Sequence, residues 1–150
     1  MRMYDKLIFV DKENTSMSPM AEAIMQARFA LEDILVESRG LVVLFPEPIN
    51  PKVEEVLSSY GLSMKEHTSL AFEPACFDER TLILTMEEDQ KEKLLKEYEA
   101  AVNVFALREY VGAYDEIQDP YGGTLSDYAV CFEQLRDMTE RLAEILKQEE

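Results

Sequence analysis

Positive charge is scarce in this chain: 15 lysines and arginines face 31 aspartates and glutamates, for a formal net charge of −16. A field of that sign repels nucleic acid and anionic membrane surfaces and disfavours polyanionic ligands. Cysteine is scarce too. Cys76 and Cys131 are too few for a disulfide framework, and no Cys/His cluster has zinc-ligand spacing. Long apolar runs are missing: none approaches the roughly 20 residues needed to cross a bilayer. The opening Met1-Arg2-Met3-Tyr4-Asp5 leads into a short strand rather than a signal-peptide core. These absences predict a cytoplasmic protein with neither nucleic-acid nor membrane partners. No internal repeat, low-complexity linker or composition break divides the sequence, so 150 residues at 47% hydrophobic composition predict one domain. Much of the acid falls on helical surface, as at Glu87-Glu88-Asp89 and Glu149-Glu150, where a solvated face is the plain reading.

What is present is an alternation of short apolar runs and amphipathic stretches. Lys6–Val10 suits a buried parallel strand. Ser18-Pro19 marks a helix start, because serine can cap and proline needs no donor in the first turn. Met20, Ile24, Ala27 and Leu31 then share one helical face. Ile34–Ser38, Thr81–Thr85 and Val102–Phe105 read as further strands; Pro51–Tyr60, ended by Gly61, and Glu87–Tyr98 read as helices. Tyr110–Gly123 is turn-rich, and Leu125, Tyr128, Phe132, Leu135, Met138, Leu142 and Ile145 mark a long amphipathic C-terminal helix. The pattern predicts an α/β fold, a doubly wound four-stranded parallel sheet flanked by helices.

In such a sheet, ligands sit beyond the C-terminal ends of the strands, where a strand-to-helix loop presents backbone N–H groups to an anion. Asp11-Lys12-Glu13-Asn14-Thr15-Ser16-Met17 occupies that place. With its flanks, Val10 through Glu22, it resembles the signature V-C-x-G-N-x-C-R-S-P-x-A-E of the low-molecular-weight protein tyrosine phosphatases, bacterial type. Val10, Asn14, Ser18, Pro19, Ala21 and Glu22 are in register. The reactive residues differ. Asp11 stands where that family has its cysteine nucleophile, Met17 where it has the phosphate-clamping arginine, Glu13 where it has a glycine, and Ser16 where it often has a second cysteine.

Two further segments extend the resemblance. Asp119-Pro120-Tyr121 is similar to the family's D-P-[YF], whose Asp is the general acid and whose aromatic ring lines the cleft. Gly61 through Ser69 is similar to G-[IL]-x-x-x-x-H-x-[SA], whose His buttresses the loop Asn, here His67 and Asn14. Ser38-Arg39-Gly40 and Leu82-Ile83-Leu84-Thr85-Met86 agree as well, so the likeness covers nearly the whole chain. It implies a phosphotyrosine phosphatase I-like fold, a loop kept in shape by Asn14 and Ser18, and a reaction needing no cofactor.

The substitutions argue against that reaction. A phosphate dianion about 4 Å from an ionised Asp11 meets roughly 4 kcal/mol of repulsion per unit charge at an effective dielectric near 20, about 8 in all. The arginine's charge-assisted hydrogen bonds, about 1.5–3 kcal/mol each, are absent. Lys12 and the loop amides do not offset both losses. Cys76 lies among acids and lacks the electropositive surroundings of a reactive thiolate, and Cys131 reads as a packed small hydrophobe. The expectation is a pseudophosphatase with a binding or regulatory role. Its cleft, framed by Asp11, Lys12, Glu13, Asn14, Thr15, Ser16, Met17, Ser18, His67, Asp119 and Tyr121, suits a protein partner that presents a basic segment. One alternative is a phosphatase or other hydrolase using Asp11 as nucleophile with a divalent metal held by Asp11, Glu13 and Asp119. The other is a scaffold acting through its acidic outer surface.

Overall fold

Strands of this chain alternate two apolar faces, and each face needs cover. In the computed structural model, which describes residues 3–28 and 34–148, β1 (Lys6–Asp11) lies at the centre of a sheet with β2 (Leu35–Gly40), β3 (Thr81–Thr85) and β4 (Val104–Ala106). The order is β2-β1-β3-β4 and all pairs are parallel. Leu7 and Phe9 face one layer with Leu82 and Leu84, while Ile8 and Val10 face the other with Ile83 and Val104. The first layer is built by α1 (Met17–Arg28), α2 (Pro51–Ser59), α4 (Leu107–Val111) and α5 (Leu125–Gln148). The second is α3 (Glu88–Glu97), whose Leu94 packs on the sheet beside an aromatic group of Phe72, Phe77 and Tyr98. The four-stranded doubly wound sheet is therefore as the pattern predicts.

Several boundaries differ, each for a local reason. α1 starts at Met17, with the Ser16 carbonyl accepting the first helical bond from Met20 N at 3.2 Å. Ser18 is thus inside the first turn, and its hydroxyl is spent elsewhere. On α1, Met20 and Ile24 are buried with Ala21 and Met25, Ala27 is exposed, and Leu31 lies outside the described residues. β4 begins at Val104, two residues later than expected, because Asn103 takes a left-handed conformation (φ 56°) and its side chain bonds the carbonyls of Asp78 and Glu79. Leu107–Val111 forms a short helix that the sequence pattern does not announce. On α5, Tyr128, Phe132, Leu135, Met138 and Leu142 are buried as the periodicity requires, whereas Leu125 in its first turn is 40% exposed.

This topology positions the site. From β1 the chain turns to β2 on one side and reaches β3 on the other, so the loops after β1 and β3 part at the strands' C-terminal ends and leave a crevice between them.

Candidate active site

Asp11 ends β1 with its alternating side chain on the α1 face, directly beneath the first turn of α1, and is 5% exposed. Its carboxylate accepts three hydrogen bonds: Asn14 N and Ser18 Oγ donate to Oδ1 at 2.7 and 2.8 Å, and Ser18 N donates to Oδ2 at 2.9 Å. Two of the donors are backbone amides of the loop and its helix, the groups that such a loop otherwise turns toward an anion. Burial pushes the Asp11 carboxyl above its ordinary value; the Ser18 and Asn14 bonds pull it down, and the nearby charge of Asp119 adds to the rise.

The loop is held from behind by Asn14, which is fully buried and adopts φ 60°. Its Nδ2 donates to Ser18 Oγ at 2.9 Å and Ser38 Oγ at 2.8 Å, and its Oδ1 accepts Leu70 N at 2.9 Å. His67 Nε2 lies 2.7 Å from the Asn14 carbonyl; a carbonyl only accepts, so that nitrogen carries the proton. Ser38 Oγ in turn donates a hydrogen bond to Glu22 Oε1 at 2.5 Å. A polar relay thus runs from Asp11 through Ser18, Asn14 and Ser38 to Glu22, with a carboxylate accepting at each end. Burial raises Glu22 above its ordinary value, while Ser38, the charge of His67 and Gln26 oppose the shift.

The remaining loop residues divide by exposure. Lys12 and Glu13 are exposed, and Thr15 and Ser16 are half-buried. Met17 is 3% exposed and packs in the core with Met20 and Ala21. It offers no hydrogen-bond donor where a phosphate clamp would stand. Across the crevice, Asp119 Oδ1 accepts Tyr121 N at 2.9 Å, a local turn that leaves the Tyr121 ring 85% exposed.

A cleft of about 250 Å³ opens between these walls, lined by Asp11, Lys12, Glu13, Thr15, Ser16, Met17, Asp119 and Tyr121, together with Glu87 and Gln90. Asn14, Ser18 and His67 lie behind the loop. Glu87 and Gln90 are the members that residue-by-residue reading misses. The signal was positional: Glu87 follows β3, whose C-terminal loop flanks the same crevice as that of β1. Glu87 is raised above its ordinary value by burial and by the charges of Asp89, Asp119 and Asp11. The expected metal candidates Asp11, Glu13 and Asp119 share the cleft but do not converge as a ligand set. Among the described residues no group of three or more His, Cys, Asp or Glu side chains could hold an ion, and both Asp11 oxygens are already engaged by donors. Neither cysteine joins the site as a nucleophile: Cys131 is 1% exposed, its thiol pushed up to about 12 by burial, and Cys76 sits in a single helical turn, Pro74–Cys76.

The profile of the low molecular weight phosphotyrosine protein phosphatases matches residues 6–150. The chain is 34% identical over 137 residues to the low molecular weight protein-tyrosine-phosphatase PtpB of Staphylococcus epidermidis, covering 91% of this chain and 96% of that protein. It is 32% identical over 142 residues to PtpB of Staphylococcus aureus, covering 94% and 99%. The YwlE arginine phosphatase from Geobacillus stearothermophilus superposes with a TM-score of 0.88 at 29% identity, covering 96% of this chain and 94% of that one. A low molecular weight protein tyrosine phosphatase from T. tengcongensis superposes with 0.86 at 30%, covering 93% and 97%. The family profile and these relatives agree: the chain is a member of the low molecular weight phosphotyrosine protein phosphatase family.

Proposed function

We propose that this member binds rather than hydrolyses: a pseudophosphatase whose cleft takes up a basic segment of a protein partner. The observation that carries the reading is the Asp11 carboxylate, which stands at the nucleophile's position and draws the amides of Asn14 and Ser18 onto itself. An incoming phosphate finds a like charge at the floor of the cleft, with Glu13, Glu87 and Asp119 around it, Lys12 as the one lining cation and no arginine. A lysine or arginine side chain finds the opposite. The relatives carry the names of tyrosine and arginine phosphatases; the reading here is that the cleft persists while that chemistry has gone. The bonds that occupy both Asp11 oxygens also count against a metal-assisted role, because a metal ion at this carboxylate would have to displace those donors.

The test is hydrolysis of an aryl phosphate by the purified chain, with and without magnesium. The expected rate lies more than about a hundredfold below that of an active family member, a gap of roughly 2.7 kcal/mol in barrier. Turnover above that level which Asp11→Ala abolishes overturns the proposal. If such turnover needs magnesium, Asp11 is the nucleophile after all.

A further inference from the structure

The segment between β2 and α2 carries large exposed apolar side chains beside the cleft. Leu44 is 87% exposed, Phe45 64% and Val42 39%. A loose loop does not account for this. Leu41 N and Val42 N donate to the carbonyls of Asp11 and Lys12 at 3.0 and 2.8 Å, tying the segment's start to the loop after β1. Its far end is tied by Glu47 N to Ser69 Oγ at 2.9 Å and by a bridge between Pro48 and Thr68. Between the tethers, Val42, Leu44 and Phe45 line a groove of about 180 Å³ whose ionisable members, Glu13 and Glu47, are both acidic. Glu13 is also a wall of the cleft, so groove and cleft adjoin across it.

We infer that groove and cleft form one docking surface for an extended basic segment of a partner protein. An apolar side chain of the segment seats on Leu44 and Phe45, and a lysine or arginine a few residues away reaches the acidic cleft. This rests on the reading of the cleft as a binding site and adds the surface that anchors the partner. Contiguous exposed apolar surface beside polar residues marks an interaction site. Charge selects the occupant. A second copy brings a further net charge of −16 and the same acids, and a phosphorylated segment meets Glu13 at the junction of groove and cleft. A basic segment meets complementary charge at every ionisable group of the groove, and Tyr121 offers a ring face for a guanidinium at the cleft's far wall.

The experiment selects a random-peptide display library against the intact chain at low salt. Synthetic versions of the enriched peptides are then titrated calorimetrically into the wild type, a Leu44→Ser/Phe45→Ser variant and a Glu13→Gln/Asp119→Asn variant. The changes are at exposed positions, and unaltered thermal unfolding establishes that each variant is folded. The expected peptides pair Leu, Ile, Phe or Met with Arg or Lys within a few residues. The apolar variant should weaken binding at least about tenfold with its salt dependence intact, and the acid variant should flatten the salt dependence. No enrichment, enrichment of acidic or purely apolar peptides, or affinity indifferent to Leu44 and Phe45 overturns the inference. So does self-association that Phe45→Ser abolishes, which assigns the face to a second copy. None of these outcomes touches the proposed loss of catalysis, which the aryl phosphate assay decides alone.

Discussion

At position 11, where the family resemblance places a thiol, stands a carboxylate that engages the donors around it. Asn14 N, Ser18 N and Ser18 Oγ all point at Asp11, so the residue acts as an anion already bound to the loop. Asp11→Ala strips those buried donors of their acceptor, which costs about 1–3 kcal/mol per group left unsatisfied. The expected outcome is a destabilised variant whose melting temperature rises with inorganic phosphate, while that of the wild type does not respond. Equal responses show that the loop donors were never committed to Asp11. The other end of the relay gives a pH test. Asp11 and Glu22 both titrate above their ordinary values of 3.8 and 4.5 because they are buried, so the folded chain holds protons that the unfolded chain has released. Stability from these groups is therefore greatest below the unfolded values and falls as pH rises through the raised folded ones. Urea unfolding across that window should show Glu22→Gln losing less stability than the wild type; a difference between the two that is constant with pH removes the assignment.

Among the elements, the junction of β2 with the loop after β1 bears a tight steric condition. Gly40 ends β2 opposite Asp11, and a Cβ there would lie 2.8 Å from Val43 Cγ2, 2.9 Å from the Glu13 carbonyl carbon and 3.0 Å from Asn14 Cβ. Backbone cannot yield as a flexible side chain does. Gly40→Ala should therefore push the two loops apart and cost about 1–3 kcal/mol, as overpacking typically does. The readouts are the urea midpoint and the His67 ring resonances, which report the Nε2 contact with the Asn14 carbonyl. An unshifted midpoint with unchanged His67 signals means that the loops have slack. The helices meet the cleft more loosely: α1 brings Ser18 to Asp11, and α3 brings Gln90, whose Oε1 accepts Glu87 N at 3.0 Å.

For the molecule as a whole, the question is whether the cleft has lost only its reactive groups. Asp119 and Tyr121, to which the resemblance gives the general acid and the cleft's ring, line the same cleft as Asp11 and Met17, so on the proposed reading the defect is confined to the loop. The variant Asp11→Cys, Met17→Arg, Glu13→Gly should regain vanadate binding and weak phosphatase activity, and neither Asp11→Cys nor Met17→Arg should do so alone. Nucleophile and clamp act as a unit, and such effects are strongly non-additive. A folded triple variant that binds no vanadate in calorimetry indicates a rebuilt cleft. Met17 is the residue to watch, since it lines the cleft and also packs in the core, and an arginine there must give up that packing to turn its charge into the cleft.

The amino-acid sequence alone determined the alternation of strand and helix and most of the inward face of α5, because periodicity is a property of neighbouring residues; the register of Asp11, Asn14, Ser18, His67 and Asp119 came from the family resemblance. It did not reveal the Leu107–Val111 helix or the late start of β4, where Asn103 is held by carbonyls more than twenty residues away. Nor could it place Glu87 and Gln90 in the cleft. Their position follows from β1 and β3 being adjacent in the sheet, a pairing between segments seventy and more residues apart. The direction of the Asp11 carboxylate was likewise decided only in three dimensions. The local pattern supplies an acid at the end of a strand, and only the closing of α1 over that strand end, with Asn14 pinned by Ser38, Leu70 and His67, aims the loop's donors at it.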